Sequence, residues 1–165
     1  MTGHLKRLEE DYGLITKQRP IFAKEGTQTV RYEITDLFLR FWFRYFTKYS
    51  DLIEMGNLPL LGSFIKSDYP TYSGLTLEIY FRQQLRESLQ FRNIGAWWQA
   101  KKEKDPCEID IVAIYADNSR ALVAEVKRQR KNFKPELFQE KVATIRQKLL
   151  SDFEIEAKVL TMEDM

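Results

Sequence analysis

Three charged side chains within two apolar runs carry the chemical interest of this sequence. In Cys107-Glu108-Ile109-Asp110-Ile111-Val112-Ala113, Asp110 interrupts what reads as a largely buried strand. An ionised carboxylate is expensive there unless it is paired or bound to a metal. In Leu122-Val123-Ala124-Glu125-Val126-Lys127, Glu125 and Lys127 are two apart, so both project from one face of the next strand. The interval between Asp110 and Glu125 accommodates two strands and an Asp117-Asn118 turn, so a hairpin brings all three groups to one sheet edge. Two neighbouring carboxylates repel, and the cheapest remedies are a divalent cation or a shared proton. An oxygen-only set suits Mg²⁺, or Mn²⁺ in its place. Such an ion polarises a phosphoryl oxygen and lowers the pKa of a bound water, while Lys127 orients the nucleophile or meets developing negative charge. That chemistry is metal-assisted phosphodiester hydrolysis. Glu78 is the best-placed third acidic ligand, after Gly74 near the start of an expected helix. The competing reading is a buried structural ion pair, with Lys127 neutralising one carboxylate and Glu78 serving only as a helix-dipole partner.

The elements that must position these groups follow from periodicity. Residues 94–99, 109–115 and 121–126 read as strands, separated by a charged turn over 101–106 and the turn 116–120. Residues 135–150 form a helix opened by Pro135, with Leu137, Phe138, Val142, Ile145 and Leu149 on one stripe, and 156–160 is a closing strand. A helix over 75–88 precedes them, with Leu77, Tyr80, Phe81, Leu85 and Leu89 facing a core. The fold class is therefore α/β, a mixed sheet flanked by helices. Upstream, 2–15 reads as a helix, with Leu5, Leu8 and Tyr12 at helical spacing; 14–21 and 29–34 read as a hairpin reversed over 23–27. Helix and two-stranded wing are the back half of a winged helix. Residues 1–36 are thus a partial winged helix and 37–165 a helical connector with the α/β domain. Residues 35–49 form a helix apolar almost all round and hence buried, with Phe41, Trp42 and Phe43 in the core, followed by a connector over 56–62. Trp97 and Trp98 are adjacent on a strand, so at least one is core.

Composition narrows the alternatives. A chain of 165 residues, 44% hydrophobic and 13% aromatic, can bury a core and is neither disordered nor fibrous. Cys107 is the only cysteine, so no intramolecular disulfide forms and a reducing, cytoplasmic setting is the default. His4 is the only histidine, which removes Ser-His-Asp and Cys-His nucleophiles and zinc sites built on several His and Cys. The apolar stretch 37–46 is shorter than the ~20 residues of a membrane span and contains Arg40 and Arg44, so it is no anchor. Net charge is only +2, but Arg120, Lys127, Arg128, Arg130, Lys131 and Lys134 cluster against Glu125 alone. From that cluster, Arg128, Arg130, Lys131 and Lys134 are candidate phosphate contacts, the plainer reading being a solvated basic turn.

Glu78, Glu108-Ile109-Asp110 and Glu125-Val126-Lys127 together resemble the PD-(D/E)XK nuclease superfamily, whose pattern is a helix-borne Glu, an Asp on the second strand and (D/E)-x-K on the third. With Tyr32-Glu33-Ile34-Thr35-Asp36-Leu37-Phe38-Leu39-Arg40-Phe41-Trp42-Phe43 and Gly95-Ala96-Trp97-Trp98, the chain is similar over nearly its full length to the C-terminal region of archaeal-type DEXX-box ATPases. The resemblance implies a restriction-endonuclease-like fold. Its catalytic residues would be Asp110, Glu125 and Lys127, its metal ligands Glu78, Asp110 and Glu125, and its metal Mg²⁺ or Mn²⁺. It also implies a nucleic-acid partner, and an ATPase domain in the relatives. No Gly-x-x-x-x-Gly-Lys-[Ser/Thr] is present, so this chain is not expected to hydrolyse ATP by itself. A winged helix lacking its first two helices leaves Leu5, Leu8 and Tyr12 short of neighbours, so residues 1–15 are expected to self-associate or to meet an ATPase subunit. The alternative function is a catalytically silent domain that docks onto DNA or protein.

Overall fold

Polar and apolar residues alternate through the first 34 positions in short runs, and these fold as α1 (Gly3–Glu10) followed by an antiparallel pair, β1 (Ile15–Gln18) and β2 (Arg31–Ile34), in the register Ile15↔Ile34 to Gln18↔Arg31. The structure is a computed structural model and describes residues 3–24, 26–27, 29–100 and 106–165. The expected turn over 101–106 lies outside the described residues except for Pro106. By contacts the chain divides into two units, Met1–Gln18 with Val30–Tyr72 and Arg19–Thr29 with Ser73–Met165. Strand β1 stops before Pro20, which has no N–H for a ladder. The chain there passes into the second unit, where the Ile21 amide donates to the Ala96 carbonyl (2.8 Å).

In the first unit, Asp36 caps α2 (Leu37–Phe41), its Oδ1 accepting the Leu39 amide at 2.8 Å. A π-helical turn, Trp42–Thr47, and α3 (Ser50–Glu54) follow. The expectation of a buried helix fails here. Leu37, Phe38, Trp42 and Phe43 are exposed, and of this stretch only Tyr45 is fully buried. A helix apolar on every side can bury one stripe in so small a unit, and the π turn rotates which stripe that is. The Tyr45 hydroxyl donates to Asp68 Oδ2 (2.8 Å), and Arg44 makes a two-pronged contact with the same carboxylate (2.5 and 2.8 Å). These bonds, the guanidinium's first, hold the Asp68 carboxyl down at about 2.

Helix α4 (Leu58–Glu87) replaces the expected connector over 56–62 and the shorter helix over 75–88. Pro59 occupies its first turn, where a missing N–H costs nothing. The helix continues through Pro70, so the breakers Gly62, Pro70 and Gly74 do not end it.

The second unit holds β3 (Phe91–Trp98), β4 (Glu108–Tyr115), β5 (Arg120–Val126), α5 (Pro135–Leu149) and β6 (Glu154–Leu160), in the sheet order β3-β4-β5-β6. The first three strands are antiparallel, and β6 joins β5 in parallel after the α5 crossover. This is the expected mixed α/β architecture. Helix α5 contributes Phe138, Val142 and Ile145 to a core with Trp97, Ile109, Val112, Ile114, Ala121 and Val123, while Leu77 and Phe81 of α4 pack with Ile111, Ala124 and Val126. Burying each large aliphatic side chain contributes roughly 1.5–3 kcal/mol. Leu137 and Leu149 of the expected α5 stripe are exposed instead. Trp97 and Trp98 are both buried.

Two local devices fix the register of the central hairpin. At the β4–β5 turn, Asp117 Oδ1 accepts the amides of Ser119 (3.0 Å) and Arg120 (3.3 Å), while Asn118 takes a left-handed conformation, φ 58°. On the other side, Gly95↔Val112 gives way to Trp97↔Ile109, so β4 advances three residues against two in β3. The extra residue lies in the Asp110–Ile111 stretch and forms a bulge. Gly95 lies next to that shift, and a Cβ there would come within 3.2 Å of Ile21 Cβ.

Candidate functional site

The bulge explains how a carboxylate enters so apolar a strand. Ile109 and Val112 belong to the core beneath α5, whereas Ile111 packs with the α4 side chains, so the strand breaks its alternation at Asp110. The β4–β5 ladder runs from Ile114↔Ala121 to Ile111↔Ala124. One step further would set Asp110 opposite Glu125. Instead, Asp110 Oδ2 accepts the Val126 amide at 2.8 Å, doing the work of a ladder carbonyl.

Glu125 lies on the α5 side of β5 and is 7% exposed. Lys127 Nζ reaches its Oε1 at 2.8 Å, which confirms that the two side chains share a face. A second ammonium, absent from the sequence expectation, completes the group: Lys141 of α5 donates to Oε1 at 3.0 Å and Oε2 at 2.8 Å. Burial works to raise the Glu125 carboxyl, but hydrogen bonds from Lys127 and Lys141 outweigh it and hold the group below its ordinary value. Asp110 moves the other way. Burial pushes it up, the Val126 N–H opposes, repulsion from Glu125 adds to the rise, and Lys127 and Lys141 only partly offset it. Two neighbouring carboxylates whose affinities for protons are driven apart form a pattern typical of reactive sites. Burial likewise pushes up the half-buried Cys107 thiol, which Lys141 opposes.

Lys127 and Lys141 thus converge on Glu125, while Asp110 is anchored on the amide of the next residue, Val126. Glu78 is placed differently from the sequence expectation. It lies in the last third of α4 rather than in a first turn, so it has no helix-dipole role, and its ion pair is with Arg82 Nη2 at 3.9 Å. Among the described residues, no group of three or more His, Cys, Asp and Glu is arranged to hold a metal ion. The donor chemistry of the Asp110–Glu125 pair fits a hard cation, with oxygen ligands and no sulfur or imidazole. Of the cationic candidates, Arg128 is half-buried, while Arg130, Lys131 and Lys134 are exposed. Arg130 is loosely paired with Glu163 (3.9 Å) and Asp164 (3.7 Å). Lys131 belongs to the short 3-10 turn Arg130–Asn132 and Lys134 precedes α5, so the cations follow Lys127 along one loop. Glu108 is exposed at the start of β4, as expected for an edge residue.

Fold and site define an α/β domain that carries a carboxylate–lysine cluster at the bulged edge of its central hairpin. The chain belongs to the DUF234 family, described as "Archaea bacterial proteins of unknown function", whose model matches residues 42–143. It is 33% identical over 134 residues to "Uncharacterized protein MJECL04" of Methanocaldococcus jannaschii, a match that takes in 77% of this chain and 29% of that protein. The chain therefore spans under a third of that relative's length. No solved structure matches. Among the described residues, no helix is long and apolar enough to cross a membrane.

Proposed function

We propose that this domain hydrolyses nucleic-acid phosphodiesters at a site built on Asp110, Glu125 and Lys127. The observation that carries the reading is the placement of two carboxylates from adjacent strands and an ammonium at one bulged strand end, with the carboxylates perturbed in opposite directions. Asp110 and Glu125 are the residues that would hold Mg²⁺ or Mn²⁺. When bound, the ion supplies Lewis acidity toward a phosphoryl oxygen and a more acidic water. Lys127, ion-paired to Glu125, would turn its remaining N–H donors toward the attacking water or the developing phosphorane charge. The cations from Arg128 to Lys134 meet backbone phosphates on either side of the cut. The resemblance to PD-(D/E)XK domains of DEXX-box ATPases adds to this reading, as does a lone thiol suited to the cytoplasm, and it makes an ATPase domain or subunit the expected companion.

A second reading, a silent docking module, is favoured by one observation. Lys127 and Lys141 are both already ion-paired to Glu125 without a metal. Cleavage of single-stranded, duplex and branched DNA and of RNA, with Mg²⁺ or Mn²⁺, separates the two. The hydrolytic reading expects cutting that Asp110→Ala and Lys127→Ala each reduce by at least about 10²-fold. Equal rates in all three proteins would leave the docking module.

A further inference from the structure

We infer that the outer edge of β6 pairs antiparallel with β6 of a second copy of this chain, about a two-fold axis at Ala157. Strand β6 is the last of its sheet, and it keeps one unbroken register with β5 from Arg120↔Glu154 to Val126↔Leu160. The opposite edge is less open, because β3 carries two register shifts and its Ala96 carbonyl is taken by the Ile21 amide. Strand β6 holds no proline and no glycine to blunt a free edge.

Which backbone groups face outward follows from hydrogen bonds at the two ends of the strand. The Glu154 amide donates to the Ser119 carbonyl, and the Leu160 carbonyl accepts the Lys127 amide, both at 2.9 Å. A strand residue turns its N–H and C=O to one side and the next residue turns its own to the other. Glu154, Glu156, Lys158 and Leu160 therefore bond toward β5. Ile155, Ala157 and Val159 present theirs outward, where no strand of the described residues pairs with them. Their side chains lie on the face shared with Ala121, Val123 and Glu125. Ala121 and Val123 are fully buried there, whereas Ile155 and Val159 are half-buried and Ala157 is exposed, so the face is unfinished at this edge.

The sequence of the edge is complementary to itself. Ile155-Glu156-Ala157-Lys158-Val159 reads apolar, acidic, small, basic, apolar. With Ala157 opposite its own copy, Ile155 meets the second copy's Val159 and Glu156 meets its Lys158. Moving the axis by one residue sets Glu156 against Glu156 or Lys158 against Lys158. In the Ala157 register the outward-facing residues form the hydrogen-bonded pairs. Glu156 and Lys158 fall at the non-hydrogen-bonded positions, where opposite side chains approach most closely. Within one chain Lys158 already reaches Glu156, and across the axis the two pairs merge into a single cluster of alternating charge.

Sedimentation velocity of the full chain across the micromolar range should show a monomer–dimer equilibrium, a short strand pair being a small interface. Ala157→Pro deletes an outward N–H and no bond to β5, so the fold stays and the dimer should be lost. Lys158→Glu and Glu156→Lys each set like charges opposite one another and should weaken dimerisation about tenfold or more. An equimolar mixture of these two variants should dimerise again, since every charge then faces its opposite. Amide exchange of the wild-type protein needs no substitution: protection at Ile155, Ala157 and Val159 should rise with protein concentration, while Glu154, Glu156 and Lys158 stay protected throughout. A chain that remains monomeric at high micromolar concentration overturns the pairing. So does a dimer that survives Ala157→Pro, or a mixture of the charge variants that is no more dimeric than either alone.

Discussion

Glu125→Gln isolates what the lysine pair contributes to the fold. The substitution keeps the side chain's size but removes the charge that two ammonium groups share, at 2.8 Å from Lys127 and 2.8–3.0 Å from Lys141. Breaking a fully buried pair costs about 3–5 kcal/mol. Here the acid is buried but the lysine side chains are 31% and 30% exposed, so both ammonium groups can turn toward water and recover part of that cost. The expected loss is about 2 kcal/mol, or ~4–8 °C in Tm for a chain of this size. Urea unfolding reads it directly. In a Trp42→Phe background, emission comes from Trp97 and Trp98, both buried in the second unit. The pH dependence has a defined sign. The folded-state Glu125 carboxyl lies below its ordinary 4.5, so its contribution is complete above that value and is lost as pH falls through the lower, folded-state value. The gap between wild type and Glu125→Gln should therefore be full at pH 7 and close in acid. Equal stability at pH 7, or a gap that persists unchanged to the acid limit, refutes this account of the cluster.

Asp110 should behave oppositely: Asp110→Asn retains an oxygen for the Val126 amide and removes a carboxylate that burial disfavours. Urea midpoints at pH 7 should then rise relative to wild type, with the advantage vanishing below the ordinary Asp range, while cleavage is lost. Lys131→Ala and Lys134→Ala should each weaken nucleic-acid binding uniformly across sequences and reduce the slope of log K against log salt by about 0.7–0.9, read by fluorescence anisotropy. Spectrophotometric titration should show Tyr45 and Tyr115 ionising late, because burial, reinforced by Asp68 and Glu156 respectively, pushes them up to about 12. Tyr45→Phe, which removes a hydroxyl bonded to Asp68, should cost about 1 kcal/mol and remove the late ionisation that belongs to Tyr45.

The sheet and its hairpin were legible because their signals are local. The apolar, β-rich runs over 109–115 and 121–126, the Asp117-Asn118 turn and Pro135 at the start of α5 each act within a few residues. The Glu125–Lys127 pairing was legible for the same reason, since a strand's two-residue period alone puts both on one face. Helix α4 was not, because Gly62, Pro70 and Gly74 read as punctuation in sequence and are overridden by the continuity of the helix. Nor was the exposure of Phe38, Trp42 and Phe43, since an all-apolar stretch does not say which side finds a partner. Lys141 was missed although a signal existed. It falls three residues after Phe138 and four before Ile145, on the buried stripe of α5, where a lysine needs an acid. Only the parallel return of β6 and the packing of α5 identify that acid as Glu125. The bulge at Asp110 arises from pairing with β3 and has no mark within β4 itself.

The central claim, that Asp110 and Glu125 form a cation site served by Lys127, is tested most directly by crystals soaked in Mn²⁺ and measured for anomalous scattering. The account predicts a peak at about 2.0–2.6 Å from an oxygen of each carboxylate. A map without a peak there at saturating Mn²⁺, with both lysines still seated on Glu125, would contradict it.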